Sequence, residues 1–196
     1  MARTGRRKGS PDTRKTILSA ARDVFAEHGY DGASIRAIAS AAQVDPALVH
    51  HYFGTKEGLF LATVRAPIDP GAVIGGVLAG GLDGAGARIV RTFLSVWDDP
   101  VTGPAALAVF RSALRHDTSA RILREFITTQ ILRRVVAALT GQDQALRGSL
   151  VGSQMFGLVM VRYVLRIEPL ASAPTEAVVA AIGPTIQRYL TGDLGR

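Results

Sequence analysis

Residues 44–60 constrain the fold of this chain more than any other stretch. Asp45 is suited to begin a helix, because its carboxylate can accept a free backbone N–H, and Pro46 fits the first helical position, where no donor is needed. Gly54 ends this helix after about two turns, and Thr55 is placed to cap the next one. A helix this short is unstable alone, so neighbouring helices must hold it.

The exposed face of this short helix carries the side chains of interest. Helical spacing groups Pro46, Ala47, His50 and His51 opposite the apolar Val49 and Phe53. A short, pre-shaped helix that presents ring donors is suited to the major groove of DNA. Leu48 lies on the boundary of the apolar face, so it belongs either to the core or to an apolar contact with a thymine methyl.

The preceding residues predict two supporting helices. The first runs from Pro11 to His28 and ends at Gly29, and Ser34 caps the second. Together the three helices form a helix-turn-helix. Its predicted small core consists of Val24, Phe25, Ile38, Val49, Phe53, Leu59 and Phe60.

Four segments in order, residues 16–21, 25–30, 34–39 and 44–60, resemble the TetR family (TetR/AcrR type) of transcriptional regulators. The resemblance covers roughly 45 positions, and a helix-turn-helix pattern alone would be much less specific. It implies an all-α fold, with an N-terminal three-helix DNA-binding domain and a C-terminal helical domain for effector binding and dimerisation. The expected domains are a disordered basic arm at 1–10, the helix-turn-helix at 11–57 and the C-terminal domain at 58–196.

The resemblance and the helical spacing together predict nine DNA-contacting residues. Arg36 and Lys56 match family positions that hold the DNA backbone. The family commonly has a small polar residue at Leu48 and a tyrosine at His50, so His50 either donates to a phosphate in its place or reaches a base edge. The predicted set is Ser34, Arg36, Pro46, Ala47, Leu48, His50, His51, Tyr52 and Lys56.

Charge and composition agree with an intracellular DNA-binding protein. The chain has 196 residues, a net charge of +7 and no cysteine, which excludes disulfides and thiol chemistry. Six basic residues and one acid lie within residues 1–15, so the arm either tracks phosphates or the minor groove, or is a solvated tail. No long apolar run or signal peptide is visible, so we expect a cytoplasmic protein without membrane attachment.

The remainder of the chain is predicted to be helical. Residues 71–86 are rich in glycine, but a dinucleotide-binding loop needs a preceding strand that is not visible, which favours a weak, closely packed helix. Further amphipathic helices are predicted over 84–98, 105–115, 119–139, 143–167 and 174–191.

The C-terminal half supplies the predicted dimer and effector sites. The last two helices have more apolar width than a single buried stripe needs, which favours a four-helix dimer interface over a purely internal core. We assign to it Gly152, Val159, Ile182, Ile186 and Tyr189. The resemblance places a small, largely apolar effector among the middle helices, although aromatic residues at helical spacing also fit a plain core. The candidates there are Phe93, Trp97, Phe110, Phe126, Phe156 and Met160.

A catalytic function has little support in the sequence. His50 and His51 are adjacent on one helix, so they diverge rather than share a metal, and no catalytic constellation or cofactor motif is present. We therefore expect no enzyme, metal or cofactor. The expected function is a ligand-responsive repressor that binds a palindromic operator as a homodimer. The alternatives are an architectural or effector-independent DNA-binding protein and a transcriptional activator.

Overall fold

The computed structural model describes residues 11–65, 70–100 and 102–195. The predicted all-α class is confirmed, since every regular element in these ranges is a helix. Two short π-helical segments, Ile127–Leu132 and Val159–Val164, extend α8 and α10. The helices are α1 (Pro11–Gly32), α2 (Ile35–Ala41), α3 (Pro46–Phe53), α4 (Lys56–Arg65), α5 (Pro70–Leu78), α6 (Ala85–Asp98), α7 (Thr102–Arg115), α8 (Asp117–Phe126), α9 (Arg133–Ala138), α10 (Gln144–Leu158) and α11 (Thr175–Thr191). The predicted basic arm, residues 1–10, lies outside the described residues.

Side-chain caps fix the starts of α2, α3 and α4, as the sequence predicts. Each cap oxygen accepts a hydrogen bond from a backbone N–H of the first turn, which would otherwise have no partner. Ser34 accepts from Ala37 at 3.0 Å, Asp45 from Ala47 at 2.7 Å, and Thr55 from Gly58 at 3.0 Å. Because Pro46 follows the Asp45 cap, the register of α3 is set at its first residue.

The chain divides into two compact units, and the division differs from the predicted domains. The N-terminal unit contains residues 11–65 together with Ala108–Ile122, and the C-terminal unit contains residues 70–107 and 123–195. Helix α4 belongs to the N-terminal unit, because Leu59 and Phe60 are fully buried in its core.

Hydrogen bonds tie Ala108–Ile122 into the N-terminal unit. The backbone N–H of Tyr30 donates to Ser112 Oγ at 3.2 Å, and Ser112 in turn is bonded to the buried Ser119 at 2.9 Å. His116 Nδ1 lies 3.2 Å from the carboxylate of Asp31. These contacts satisfy the polar groups at the end of α1, which explains why residues so distant in sequence form one unit.

An aromatic cluster forms the centre of the N-terminal core. The ring of Phe60 lies 5.1 Å from those of Phe25 and Tyr30, in edge-to-face geometry with both. Phe25, Ile38, Val49, Leu59 and Phe60 are buried as predicted. The prediction is wrong for Val24 and Phe53, which are only half-buried. The guanidinium of Arg14 covers the ring of Phe53 at 5.2 Å.

In the C-terminal unit, α6 and α11 cross at two glycines. A Cβ atom on Gly86 would collide with the carbonyl of Gly183 and lie 2.6 Å from the backbone nitrogen of Gln187. The Gly86 N–H donates to the Gln187 side chain at 3.0 Å. The core around this crossing consists of Ala85, Val90, Leu94, Val135, Leu139, Val151, Met155, Leu158, Val178, Val179, Ile186 and Leu190.

Two features of the C-terminal unit refine the sequence prediction. The helix predicted to begin at Ala105 begins at Thr102, because the carboxylate of Asp99 accepts a hydrogen bond from the Thr102 N–H at 2.8 Å. The glycine-rich stretch contains α5, as predicted, and no strand precedes it within the described ranges. Close packing occurs at Gly86 but not at Gly75 or Gly76, where an added Cβ would meet nothing within 4 Å.

Candidate nucleic-acid interface

Helix α3 presents the surface that the sequence predicts. Pro46, Ala47, His50 and His51 are all exposed, while Val49 on the opposite face is 1% exposed. Helix α2 contributes the exposed Arg36. The face is therefore open to solvent, and the apolar side of α3 anchors it to the N-terminal core.

Leu48 and Tyr52 lie at the edges of this face. Both side chains are half-buried, so Leu48 is neither a full core residue nor fully exposed. The ring of Tyr52 packs against His51 and Phe53, with centroids 5.3 Å and 6.2 Å away. Ser34 uses its oxygen to cap α2, and its hydroxyl proton remains available to donate.

His50 is held by the end of its own helix. Its ring atom Nδ1 lies 2.8 Å from the carbonyl oxygen of Gly54, while the Gly54 N–H donates to the His50 carbonyl at 2.8 Å. A carbonyl oxygen only accepts, so Nδ1 carries the proton in this contact. This bond draws the ring toward the C-terminal end of α3.

Lys56 is folded back onto α1. Its ammonium lies 4.5 Å from the centre of the Tyr30 ring and 3.4 Å from the carbonyl oxygen of Asp31. Burial lowers the pKa of Lys56, and the Asp31 carboxylate partly opposes this effect. Before Lys56 can contact a phosphate, it must leave these partners or share them.

Arg14 is a candidate that the predicted set of contacts omits. It is exposed and covers the ring of Phe53 at the end of α3, which places a guanidinium beside the reading helix. The sequence counts Arg14 among the basic residues near the N-terminus. Nothing in the sequence, however, signals its contact with a residue so far along the chain.

Burial corrects two of the predicted dimer residues. Val159 is 2% exposed and Ile186 is fully buried, so neither has surface left to offer a second copy. Both side chains are used inside the subunit; Ile186 belongs to the C-terminal core. Gly152, Ile182 and Tyr189 are half-buried and retain some exposed area.

The predicted effector residues lie in different surroundings. Phe93 and Trp97 lie together, with ring centroids 5.7 Å apart, and Met160 is half-buried. Phe126 is buried in the C-terminal unit and Phe110 is buried in the N-terminal unit. Phe156 is 47% exposed on α10.

The C-terminal unit contains a cleft of about 670 Å³ at Trp97. One wall is aromatic, because the rings of Trp97 and Tyr163 stack at 5.3 Å. The remaining lining is more polar than the largely apolar site expected from the sequence. It includes Asp98, Asp99, Pro100, Gly103, Pro104, Leu107, Arg162, Arg166, Glu168, Ala171 and Ser172.

Hydrogen bonds hold the walls of this cleft in place. Tyr163 donates to Asp98 at 2.9 Å, and burial together with this bond raises the pKa of Tyr163 above its ordinary range. Arg162 donates to the carbonyl oxygens of Leu170 and Ala173, each at 2.8 Å, and so fixes the loop before α11. Tyr163 and Arg162 are thus held in place by hydrogen bonds within the unit.

Two other kinds of feature are absent from the described ranges. No group of three histidine or acidic side chains there is arranged to hold a metal ion. None of the helices there has both the length and the apolar character needed to cross a bilayer.

Comparison with known proteins identifies the family. Residues 17–63 match the bacterial regulatory proteins of the tetR family, and residues 83–190 match the tetracyclin repressor-like C-terminal domain. The crystal structure of a TetR-family regulator from Streptomyces coelicolor A3 is 46% identical, with a TM-score of 0.77, over 95% of this chain and 98% of that one.

Two curated regulators are also similar. The transcriptional regulator BetI of Agrobacterium fabrum is 32% identical over 177 residues, which cover 86% of this chain and 85% of BetI. The repressor AcnR of Corynebacterium glutamicum is 46% identical over 54 residues, only 28% of this chain and 29% of AcnR. With both halves matched, the chain belongs to the TetR family of DNA-binding transcriptional regulators, which are not enzymes.

Proposed function

We propose that this regulator is a repressor that binds a palindromic operator as a homodimer and releases it when a small molecule binds the C-terminal unit. The observation that carries the proposal is the exposed face of α3, where Ala47, His50 and His51 project from a helix whose register Asp45 and Pro46 set. The N-terminal residues of such a helix read base edges, while flanking cations hold phosphates. The similarity to AcnR, a repressor, favours repression over activation.

The proposed palindromic operator has two symmetric half-sites, and two copies of the chain are needed to bind both. A two-fold dimer presents two copies of α3 to two half-sites one helical turn apart. The exposed faces of α10 and α11 suit such a contact, since they carry small residues that allow close approach and one large apolar ring, Phe156. The exposed residues on these faces include Ser149, Ser153, Phe156 and Gly157 of α10, and Ala177, Ala180, Ala181 and Pro184 of α11.

For the effector we propose the cleft at Trp97 and Tyr163. An aromatic wall beside fixed charged groups suits a ligand with a flat apolar part and a polar part, rather than a largely apolar one. Occupation of this cleft would have to favour a state in which the two copies of α3 no longer match the operator.

The test begins with selection of DNA fragments by the purified full-length protein, followed by sequencing. We expect an inverted repeat bound by two chains, and in vitro transcription from a promoter containing it should fall when the protein is added. Enrichment without any common sequence would favour an architectural protein, and increased transcription would favour an activator.

Effector binding to the cleft is tested by a separate measurement. Compounds that raise the melting temperature of the protein are added to the operator complex, and those that bind the cleft should release the DNA. A Trp97→Ala variant should lose the thermal shift and the release while still binding operator. If Trp97→Ala responds to the same compounds as wild type, the effector site lies elsewhere.

A further inference from the structure

The hydrogen bond from His50 to Gly54 determines what His50 can do on DNA. Nδ1 is used within the protein at 2.8 Å, so Nε2 is the ring nitrogen left for an external partner. In a neutral ring protonated at Nδ1, Nε2 has no proton and acts only as an acceptor. Phosphate oxygens also only accept, so a neutral His50 cannot bind a phosphate in this geometry.

The position of the ring favours a phosphate over a base. Base edges are read mainly from the N-terminal part of a recognition helix, whereas His50 is tied to the carbonyl that follows the last turn of α3. The residue is exposed, so a phosphate can approach it. A phosphate at Nε2 would require a second proton on the ring and would favour the charged form.

No other charged group is bonded to His50 among the residues described. The charged side chains of the neighbouring helices have other contacts or are exposed to solvent. Arg14 of α1 covers the ring of Phe53, and Lys56 of α4 lies over the ring of Tyr30. Glu57 of α4 lies 3.8 Å from Arg121, and Arg36 of α2 is exposed. Asp45 and His51 belong to the same segment as His50. Asp45 is used as the cap of α3, and His51 packs on Tyr52.

We propose that His50 binds an operator phosphate through Nε2 as an imidazolium, so that operator binding takes up one proton at this residue. The inference rests on the proposed operator binding and adds a regulatory property to it. A tyrosine at this position would donate its hydroxyl without a change of charge. Histidine makes the same contact depend on pH, because imidazoles become charged as the pH falls below about 6.5.

The experiment measures operator affinity by fluorescence anisotropy between pH 6 and pH 8 at fixed ionic strength, since salt alone changes affinity. The wild type should bind up to roughly tenfold more tightly at pH 6 than at pH 8. His50→Gln and His50→Tyr should lose this dependence, and His50→Tyr, whose hydroxyl donates at either pH, should bind more tightly than wild type at pH 8. His28→Gln is the matched control, because it removes an exposed imidazole on α1, outside the predicted DNA-contacting set, and should retain the slope.

A second measurement tests the proton directly. The heat of operator binding at pH 7, compared in two buffers with different ionisation enthalpies, should reveal proton uptake in wild type and His28→Gln but not in His50→Gln. Tight operator binding that does not depend on pH, or a slope that survives in His50→Gln, overturns the inference and leaves the proposed function intact. Absence of sequence-selective binding at every pH overturns the proposed function and this inference with it.

Discussion

At the scale of single residues, Gly29 is constrained both by its backbone conformation and by the side chain packed against it. Its φ of 69° and ψ of 178° lie in a region that is essentially restricted to glycine, and a Cβ atom there would lie 3.2 Å from the Nε2 atom of His116. The kink at this residue ends the regular part of α1. Tyr30 and Asp31 follow directly and bond Ser112 and His116.

We expect Gly29→Ala to lower the free energy of unfolding by about 2 kcal/mol, since strained backbone of this kind costs 1–3 kcal/mol. Urea denaturation of the full chain measures it. Gly32→Ala is the matched control in the same helix, because its added Cβ would make only an ordinary contact of 3.5 Å with His28. Equal stability of the two variants would show that the conformation of Gly29 is not required.

At the scale of helices, two glycines in neighbouring elements have opposite roles. Gly86 allows α6 and α11 to approach within backbone contact, whereas Gly76 in α5 borders open space. Both are helical, and both therefore carry the entropic cost of glycine in a helix. Only Gly86 has a packing reason to be glycine.

We therefore predict opposite signs for two alanine substitutions. Gly86→Ala should destabilise the protein by roughly 1–3 kcal/mol, because backbone of α11 would have to move. Gly76→Ala should stabilise it by about 0.5–1 kcal/mol through better helix propensity. Chemical denaturation of both variants beside wild type checks the pair, and a stable Gly86→Ala variant would contradict the close crossing.

The elements that the sequence predicts well depend on short-range chemistry. Each capping side chain accepts a hydrogen bond from a backbone N–H only two or three residues away, as at Ser34, Asp45 and Thr55. The start and register of these helices can therefore be predicted from the local sequence. Burial is harder to predict. Ile182 and Ile186 are the same residue type on one helix, yet Ile186 is fully buried and Ile182 is half-buried. The difference arises because the packing of α11 decides how much of each side chain is covered. The cleft residues Trp97 and Tyr163 likewise meet only through the fold.

At the scale of the whole molecule, assembly depends on surfaces that one subunit leaves exposed. Ala181 is exposed on α11, so a glutamate there costs little within the subunit. Placed in an interface between two copies, the same glutamate would be an unpaired, desolvated charge, which is strongly unfavourable.

We predict that Ala181→Glu converts the proposed dimer into monomers of unchanged helicity and weakens operator binding. Light scattering after size-exclusion chromatography measures the mass, and circular dichroism checks the fold. Ala137→Glu, a matched change at an exposed position on α9, should remain dimeric. If Ala181→Glu remains a dimer at the same concentration, the proposed α10–α11 surface is wrong.

The composition of the N-terminal unit has a consequence for exchanging parts between regulators. A chimera that takes only the first 65 residues of this chain would leave behind Ala108–Ile122, and with it the partners of Tyr30 and Asp31. The Tyr30 N–H and the Asp31 carboxylate at the end of α1 would then depend on whatever the new host supplies. Transplanting the DNA specificity of this protein therefore requires both pieces of the chain, or a host that already has equivalents of Ser112 and His116.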